Sequence, residues 1–145
     1  MKALIAYYSF TGKTKSLCER LKTNECDLYE IVEYGKKGFM QAFLGCFKSL
    51  RGVPSKIEPV TVDLSAYDLI IVASPVWAGG IAPAAISFLF SEGIKGKDVI
   101  IIANAGGEQD VVKRIQPIVS KAGVNCIKIY NTKNGADIEI VELSQ

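Results

Sequence analysis

Short, unbroken apolar runs alternate along this chain with stretches whose apolar residues recur every three or four positions. Lys2–Tyr8 (KALIAYY), Cys26–Val32 (CDLYEIV), Asp68–Ala73 (DLIIVA), Asp98–Ala103 (DVIIIA) and Asn125–Tyr130 have the length and the Ile/Val/aromatic content of strands. The intervening stretches read as helices. Lys13–Lys22 sets Leu17 and Leu21 at i, i+4, and Gly38–Leu50 sets Phe39, Phe43, Phe47 and Leu50 on one stripe. Pro83–Phe90 is a short helix, and Asp110–Ala122 a longer one with Gly123 just past its C-terminal end.

Strands that are apolar throughout, rather than at every second position, must be covered on both faces. Separated by helices, they predict a parallel sheet. Right-handed crossovers then give an α/β fold: a doubly wound five-stranded parallel sheet with helices on both faces. No repeat, low-complexity tract or linker interrupts residues 1–145, so one domain is expected. After the fifth strand only Asn131–Gln145 remain, and Asp137–Leu143 (DIEIVEL) fits a strand or a stubby helix. The last helix is therefore short or absent.

At 145 residues a core forms without disulfide or metal staples. Composition then narrows the chemistry. The chain has no histidine, which removes Ser-His-Asp and Cys-His pairs, His-ligated zinc and histidine phosphorelay. No catalytic side chain and no metal ligand set is assigned, and any bond chemistry would come from a cofactor. Seventeen Lys and Arg against fifteen Asp and Glu give a net charge of +2, too balanced for a dedicated nucleic-acid binder. Cys18, Cys26, Cys46 and Cys126 are scattered, as expected of buried reduced thiols in a cytoplasmic protein. The N-terminal residues carry no long apolar run and read as mature protein. Leu69–Phe90 is uncharged and long enough to span a bilayer, but Pro75, Gly79, Gly80 and Pro83 break it. A strand, a tight loop and a short helix explain it better, and no membrane span is expected.

In a doubly wound sheet, ligands bind beyond the carboxyl ends of the strands, where strand order reverses. Three loops there are unusual. Ser9-Phe10-Thr11-Gly12-Lys13-Thr14 places three hydroxyls and a glycine at a helix N-terminus. Hydroxyls and unpaired amides donate, and the helix dipole favours negative charge, so the loop suits a phosphate dianion. An ordinary helix cap would need only one Ser or Thr. A Walker A loop is excluded, because Tyr7 stands where its first glycine belongs and no Asp ends the Leu69–Val72 strand. The second loop, Ser74-Pro75-Val76-Trp77-Ala78-Gly79-Gly80, carries the only tryptophan, either to stack on a planar ring or simply to pack the loop. The third, Asn104-Ala105-Gly106-Gly107-Glu108-Gln109-Asp110, is small and polar, with amides able to bond the edge of a heterocycle. A Gly-rich turn before a helix is its plain alternative.

These loops, in this order, resemble the flavodoxin-like family of FMN proteins. Ser9, Thr11, Gly12 and Thr14 match the pattern Ser/Thr-x-Thr-Gly-x-Thr, and Asp68–Gly80 is similar to the family's third strand and flavin loop. The resemblance runs from residue 2 to about 130. With no insertion in the fifth strand, it is to the short-chain branch. It implies noncovalent FMN, with the phosphate on Ser9, Phe10, Thr11, Gly12, Lys13 and Thr14. The isoalloxazine would lie between Pro75, Val76, Trp77, Ala78 and Gly79 on one side and Asn104, Ala105, Gly106, Gly107 and Glu108 on the other.

Three departures bear on function. The chain is net basic where flavodoxins are usually acidic, the third loop lacks an aromatic to cover the second flavin face, and the closing helix is short. The resemblance implies an electron-transfer protein serving redox partner proteins. Its alternative is an NAD(P)H-dependent flavin or quinone oxidoreductase, and a further one is a non-flavin interaction module that keeps only the fold. Lys36, Lys37, Lys48, Arg51 and Lys56 gather around the Phe39–Leu50 stripe, as a solvated face or as a contact for an acidic partner or cosubstrate.

Overall fold

The structure, a computed structural model, describes residues 2–35, 51–104, 111–133, 135 and 138. The strands are β1 (Ala3–Tyr7), β2 (Cys26–Glu30), β3 (Leu69–Trp77), β4 (Gly80–Ile81), β5 (Asp98–Asn104) and β6 (Asn125–Thr132). The helices are α1 (Lys13–Leu21), α2 (Pro83–Leu89) and α3 (Val111–Ala122), with a 3-10 turn at Leu64–Ala66. All five predicted strands are parallel neighbours in the order β2-β1-β3-β5-β6. The predicted Gly38–Leu50 helix and the Asp137–Leu143 element lie outside the described residues, Ile138 excepted.

Alternation along each strand sorts the core into two layers. Leu4, Ala6, Ile70, Val72, Val99, Ile101 and Ala103 face one side, where they meet Ala84, Ala85, Ile86, Phe88 and Leu89 of α2 and Ile115 of α3. Ala3, Ile5, Tyr7, Leu69, Ile71, Ala73, Ile100 and Ile102 face the other, against Leu17, Cys18 and Leu21 of α1. The unbroken apolar runs of the inner strands follow from this two-sided burial. Each fully buried Ile or Leu contributes about 1.5–3 kcal/mol relative to exposure. Helix α3 ends as expected, with Gly123 at φ 72° donating its N–H to the carbonyls of Val119 and Ser120.

The main correction concerns the stretch expected to be a loop after Ala73. Strand β3 runs on through Ser74, Pro75, Val76 to Trp77, then turns back as β4, a sixth and antiparallel strand with Trp77 opposite Gly80 and Val76 opposite Ile81. The proline is tolerated because β1 has already ended, its Tyr7 pairing with Ala73. From there β3 is an edge on that side. Beyond it, β5 continues alongside, with Ser74 opposite Ala103 and Pro75 opposite Asn104. Smaller differences fall at element ends: β2 stops at Glu30, and β6 continues to Thr132.

Candidate functional site

Strand order reverses between β1 and β3, and the chain beyond both strand ends converges there. The Tyr8 N–H donates to the Ala73 carbonyl at 3.0 Å, which ties the start of the first loop to the end of the β1–β3 ladder. The loop then folds around one side chain. Ser9, 6% exposed, accepts hydrogen bonds at Oγ from the Gly12 N–H (3.0 Å) and the Lys15 N–H (3.2 Å). A single hydroxyl oxygen thus gathers two amides at the head of α1.

Gly12 is the N-cap of α1 at φ 94°, in the left-handed region, and has no side chain to cap with. A Cβ there would meet nothing within 4 Å, so backbone conformation rather than crowding calls for glycine. The first turn of α1 carries no acid. Lys13 and Lys15 stand in it instead, adding to the positive end of the helix dipole. Thr11 and Lys13 are exposed, Phe10 is half-buried, and Thr14 is 2% exposed beneath the loop. Residues 9–15 therefore bring hydroxyls and two lysines to the positive end of α1, a setting suited to an anion.

The second loop is a two-residue hairpin. Ala78 (φ 51°) and Gly79 (φ 80°) both have positive φ, as a type I′ turn requires. Trp77 stands at its base, half-buried, with edge-to-face contacts to Tyr8 (ring centroids 5.8 Å, 85°) and Phe10 (5.6 Å, 84°). Both expected roles of the tryptophan bear on this geometry: its ring packs the two loops together and remains partly open. Ser74 anchors the hairpin from below. Fully buried, its Oγ accepts from the Ala82 N–H and donates to the Pro75 carbonyl, both at 2.8 Å. The hairpin is thereby fixed to the residue that precedes α2.

Asn104, the first residue of the third loop, ends β5 beside Pro75 on one side and Thr132 on the other. It is half-buried at the same carboxyl edge as Trp77. Ala105, Gly106, Gly107 and Glu108 lie outside the described residues. Ser9, Phe10, Thr11, Gly12, Lys13, Thr14, Pro75, Val76, Trp77, Ala78, Gly79 and Asn104 thus all lie at one end of the sheet.

Two residues of this region escaped sequence reasoning. Ser74 could have been noticed as a lone hydroxyl at the end of a wholly apolar strand. Tyr8 reads as one more apolar residue of β1. It is 1% exposed, and its hydroxyl is buried near the Glu33 carboxylate. Burial, reinforced by the Glu33 carboxylate, pushes this phenol far above its ordinary range and keeps it protonated. Burial likewise pushes the Cys18 thiol up to about 12, so it is an inert core group rather than a nucleophile. Cys26 and Cys126 are half-buried free thiols. Cys46 lies outside the described residues, among which no group of His, Cys, Asp and Glu could hold a metal ion and no helix is long and apolar enough to cross a membrane.

Comparison with protein-family models finds no match, and comparison with curated proteins finds none either. Solved structures do match. A flavoprotein from Lactobacillus acidophilus NCFM, crystallised in complex with FMN, superposes with a TM-score of 0.80 at 23% identity over 99% of both chains. A protein of the same fold from Bacteroides eggerthii DSM 20697 gives 0.78 at 20% identity, over 98% of this chain and 94% of the other. Oxidised flavodoxin 2 from Bacillus cereus gives 0.56 at 21% identity, over 98% and 91%. Strand order, two-sided core and these likenesses agree: the chain has the α/β flavodoxin-like fold.

Proposed function

We propose that this protein binds FMN noncovalently and transfers electrons between redox partner proteins. The observation that carries the proposal is the head of α1. A left-handed glycine stands at the N-cap, the first turn has no acids, and the Ser9 oxygen that the Gly12 and Lys15 amides hold at 3.0 and 3.2 Å marks the place a phosphate oxygen would take. The FMN-bound flavoprotein of the same fold supports the choice of ligand. Ser9, Phe10, Thr11, Gly12, Lys13 and Thr14 hold the phosphate. Pro75, Val76, Trp77, Ala78 and Gly79 flank the flavin ring on one side, and Asn104, Ala105, Gly106, Gly107 and Glu108 flank it on the other.

Bound FMN would supply one- or two-electron chemistry. The residues do the remaining work. The amides and α1 dipole neutralise the phosphate. Trp77 offers an aromatic face, kept in place by Tyr8 and Phe10. The hairpin, fixed through Ser74, restricts how the ring can move. None of this needs an imidazole, in keeping with a chain that has no histidine.

FMN titration of the purified protein tests the reading, with quenching of Trp77 emission and flavin absorbance as readouts. Stoichiometric binding is expected, weakened at least tenfold by Thr11→Ala with Thr14→Ala. A protein that binds no FMN refutes the proposal, and unchanged affinity in the double variant refutes the phosphate assignment. The net charge of +2 favours a second reading, an NAD(P)H-dependent flavin or quinone oxidoreductase, because its cosubstrates are anionic. Rapid NAD(P)H oxidation by the FMN-loaded protein with a quinone acceptor would select that reading over a pure carrier.

A further inference from the structure

The segment that leaves β2 carries its polarity the wrong way round. Val32 and Tyr34 are 41% and 48% exposed, whereas Glu33 between them is half-buried. In extended backbone, neighbouring side chains point to opposite sides, so the carboxylate is directed inward and the two apolar residues outward. The backbone holds this arrangement. Glu33 bridges Ile57 in antiparallel fashion, with the Glu58 N–H donating to the Val32 carbonyl at 2.8 Å and the Tyr34 N–H to the Lys56 carbonyl at 3.0 Å. Turning a charged group inward costs free energy unless the interior offers it a hydrogen bond. What lies there is the hydroxyl of the buried Tyr8. Burial and the Glu33 carboxylate together keep that phenol protonated, so it stays a donor. A neutral phenol donates and a carboxylate only accepts, so each group supplies what the other needs.

We propose that Glu33 is a positioning residue for the ligand pocket: its carboxylate takes the hydrogen bond of the Tyr8 hydroxyl, and the tyrosine so held sets the orientation of Trp77 for stacking on a planar ring. The ring contacts carry the second half of this chain. Tyr8 meets Trp77 at 85° with centroids 5.8 Å apart, and Phe10 meets it at 84° and 5.6 Å. Edge-to-face contacts depend on angle as well as distance, so a tyrosine that cannot shift also limits the tilt of the indole. The Tyr8 N–H, bonded to the Ala73 carbonyl, fixes where this side chain starts, and Glu33 fixes where it ends. The brace thus joins the exit of β2 to the hairpin after β3, with the end of β1 between them. A half-buried tryptophan held this way is arranged before any ligand arrives, which lowers the cost of ordering it on binding. The stacking purpose rests on the flavin reading, whereas the brace from Glu33 through Tyr8 to Trp77 does not.

Fluorescence anisotropy of the only tryptophan reads the brace in the ligand-free protein, and FMN titration reads its effect on binding. Three variants divide the contributions, each checked for cooperative thermal unfolding. Tyr8→Phe keeps the ring and removes the donor. Glu33→Leu keeps much of the bulk and removes the acceptor, and Glu33→Gln keeps an acceptor oxygen but not the charge. In Tyr8→Phe and Glu33→Leu the local motion of Trp77 should increase and the FMN Kd should rise about fivefold, the worth of one ordinary hydrogen bond. Glu33→Gln should restore both readouts to within about twofold of the parent. Combining Tyr8→Phe with Glu33→Leu should do no more damage than either alone, because both remove the same bond. Unchanged Trp77 motion in the two single variants overturns the proposal, and so do additive losses in the combined one. Glu33→Gln as damaging as Glu33→Leu overturns it too, since charge rather than an acceptor oxygen would then matter. An FMN Kd indifferent to variants that loosen Trp77 overturns the role in the pocket. A parent protein that binds no FMN, with Trp77 loosened as expected in the variants, refutes the flavin reading and leaves the brace standing.

Discussion

Replacing Ser74 with alanine tests whether one buried hydroxyl organises the flavin side of the sheet. The change removes one oxygen and nothing else, but that oxygen serves two partners at 2.8 Å, the Ala82 N–H and the Pro75 carbonyl. Ala82 is fully buried, so its amide would face a methyl group with no water to replace the lost acceptor. Leaving a buried donor unsatisfied costs about 1–3 kcal/mol. Pro75 is only half-buried, and its carbonyl can turn to solvent, so that loss contributes less. Together, Ser74→Ala should destabilise the protein by about 2–3 kcal/mol, out of a total of about 5–15 kcal/mol for an ordinary domain. At this chain length that corresponds to a fall in Tm of about 5–10 °C. Urea unfolding followed by far-UV circular dichroism gives the free energy, and an unchanged m-value shows that the same surface is still exposed. Because Trp77 is the only tryptophan and sits on the hairpin that Ser74 holds, its emission should change in the folded variant as well. A loss below about 0.5 kcal/mol with unchanged Trp77 emission would refute the reasoning, because the amide must then have found another partner.

Ala78 is the only described non-glycine residue with positive φ, at 51°, and Ala78→Asn supplies the residue that type I′ turns favour before Gly79. The substitution should stabilise by about 0.5–1 kcal/mol in the same urea assay; any destabilisation contradicts the turn assignment. Cys18, pushed up to about 12, stays protonated in the fold while an unfolded thiol ionises near pH 9. The unfolded state then binds fewer protons, so stability should fall by about 2 kcal/mol between pH 9 and 11. Cys18→Ala should flatten that limb, and an unchanged slope counts against the buried thiol. The Tyr67 hydroxyl donates to Asp27 at 2.7 Å and, with Lys2 assisting, holds that carboxyl below the ordinary range. Asp27 therefore contributes stability above the unfolded pKa that is lost as pH falls through its lowered folded value. In Tyr67→Phe its titration, followed by carboxyl-carbon NMR, should move upward, and no movement would remove the hydroxyl as the cause.

The periodicity of the sequence was enough to identify the sheet because burial on both faces leaves a distinctive trace. Ile70, Ile71 and Val72 are all fully buried although they point alternately to opposite layers. The cap at the head of α1 was legible for a related reason: Ser9 and Gly12 perform local tasks within one short segment. The continuation of β3 was less visible. Pro75 and the glycines signal a loop, and only the early end of β1, a fact about another strand, lets a proline stand in the ladder. Tyr8 escaped for the same kind of reason. Its contact with Trp77 joins residues nearly seventy positions apart, which no local pattern encodes.

The register between β5 and β6 has a consequence for how molecules of this protein meet one another. Val99 pairs with Cys126 and Ile100 with Lys128, which leaves Ile127 without a partner in the ladder and 52% exposed. Among the described strands β6 lies at one end of the sheet, and an end strand is where a second chain could add itself. The extra residue interrupts the spacing such a chain would need, and Lys128 follows it with a charge. The same register shift that exposes Ile127 thus breaks the regularity on which strand addition at that end of the sheet depends.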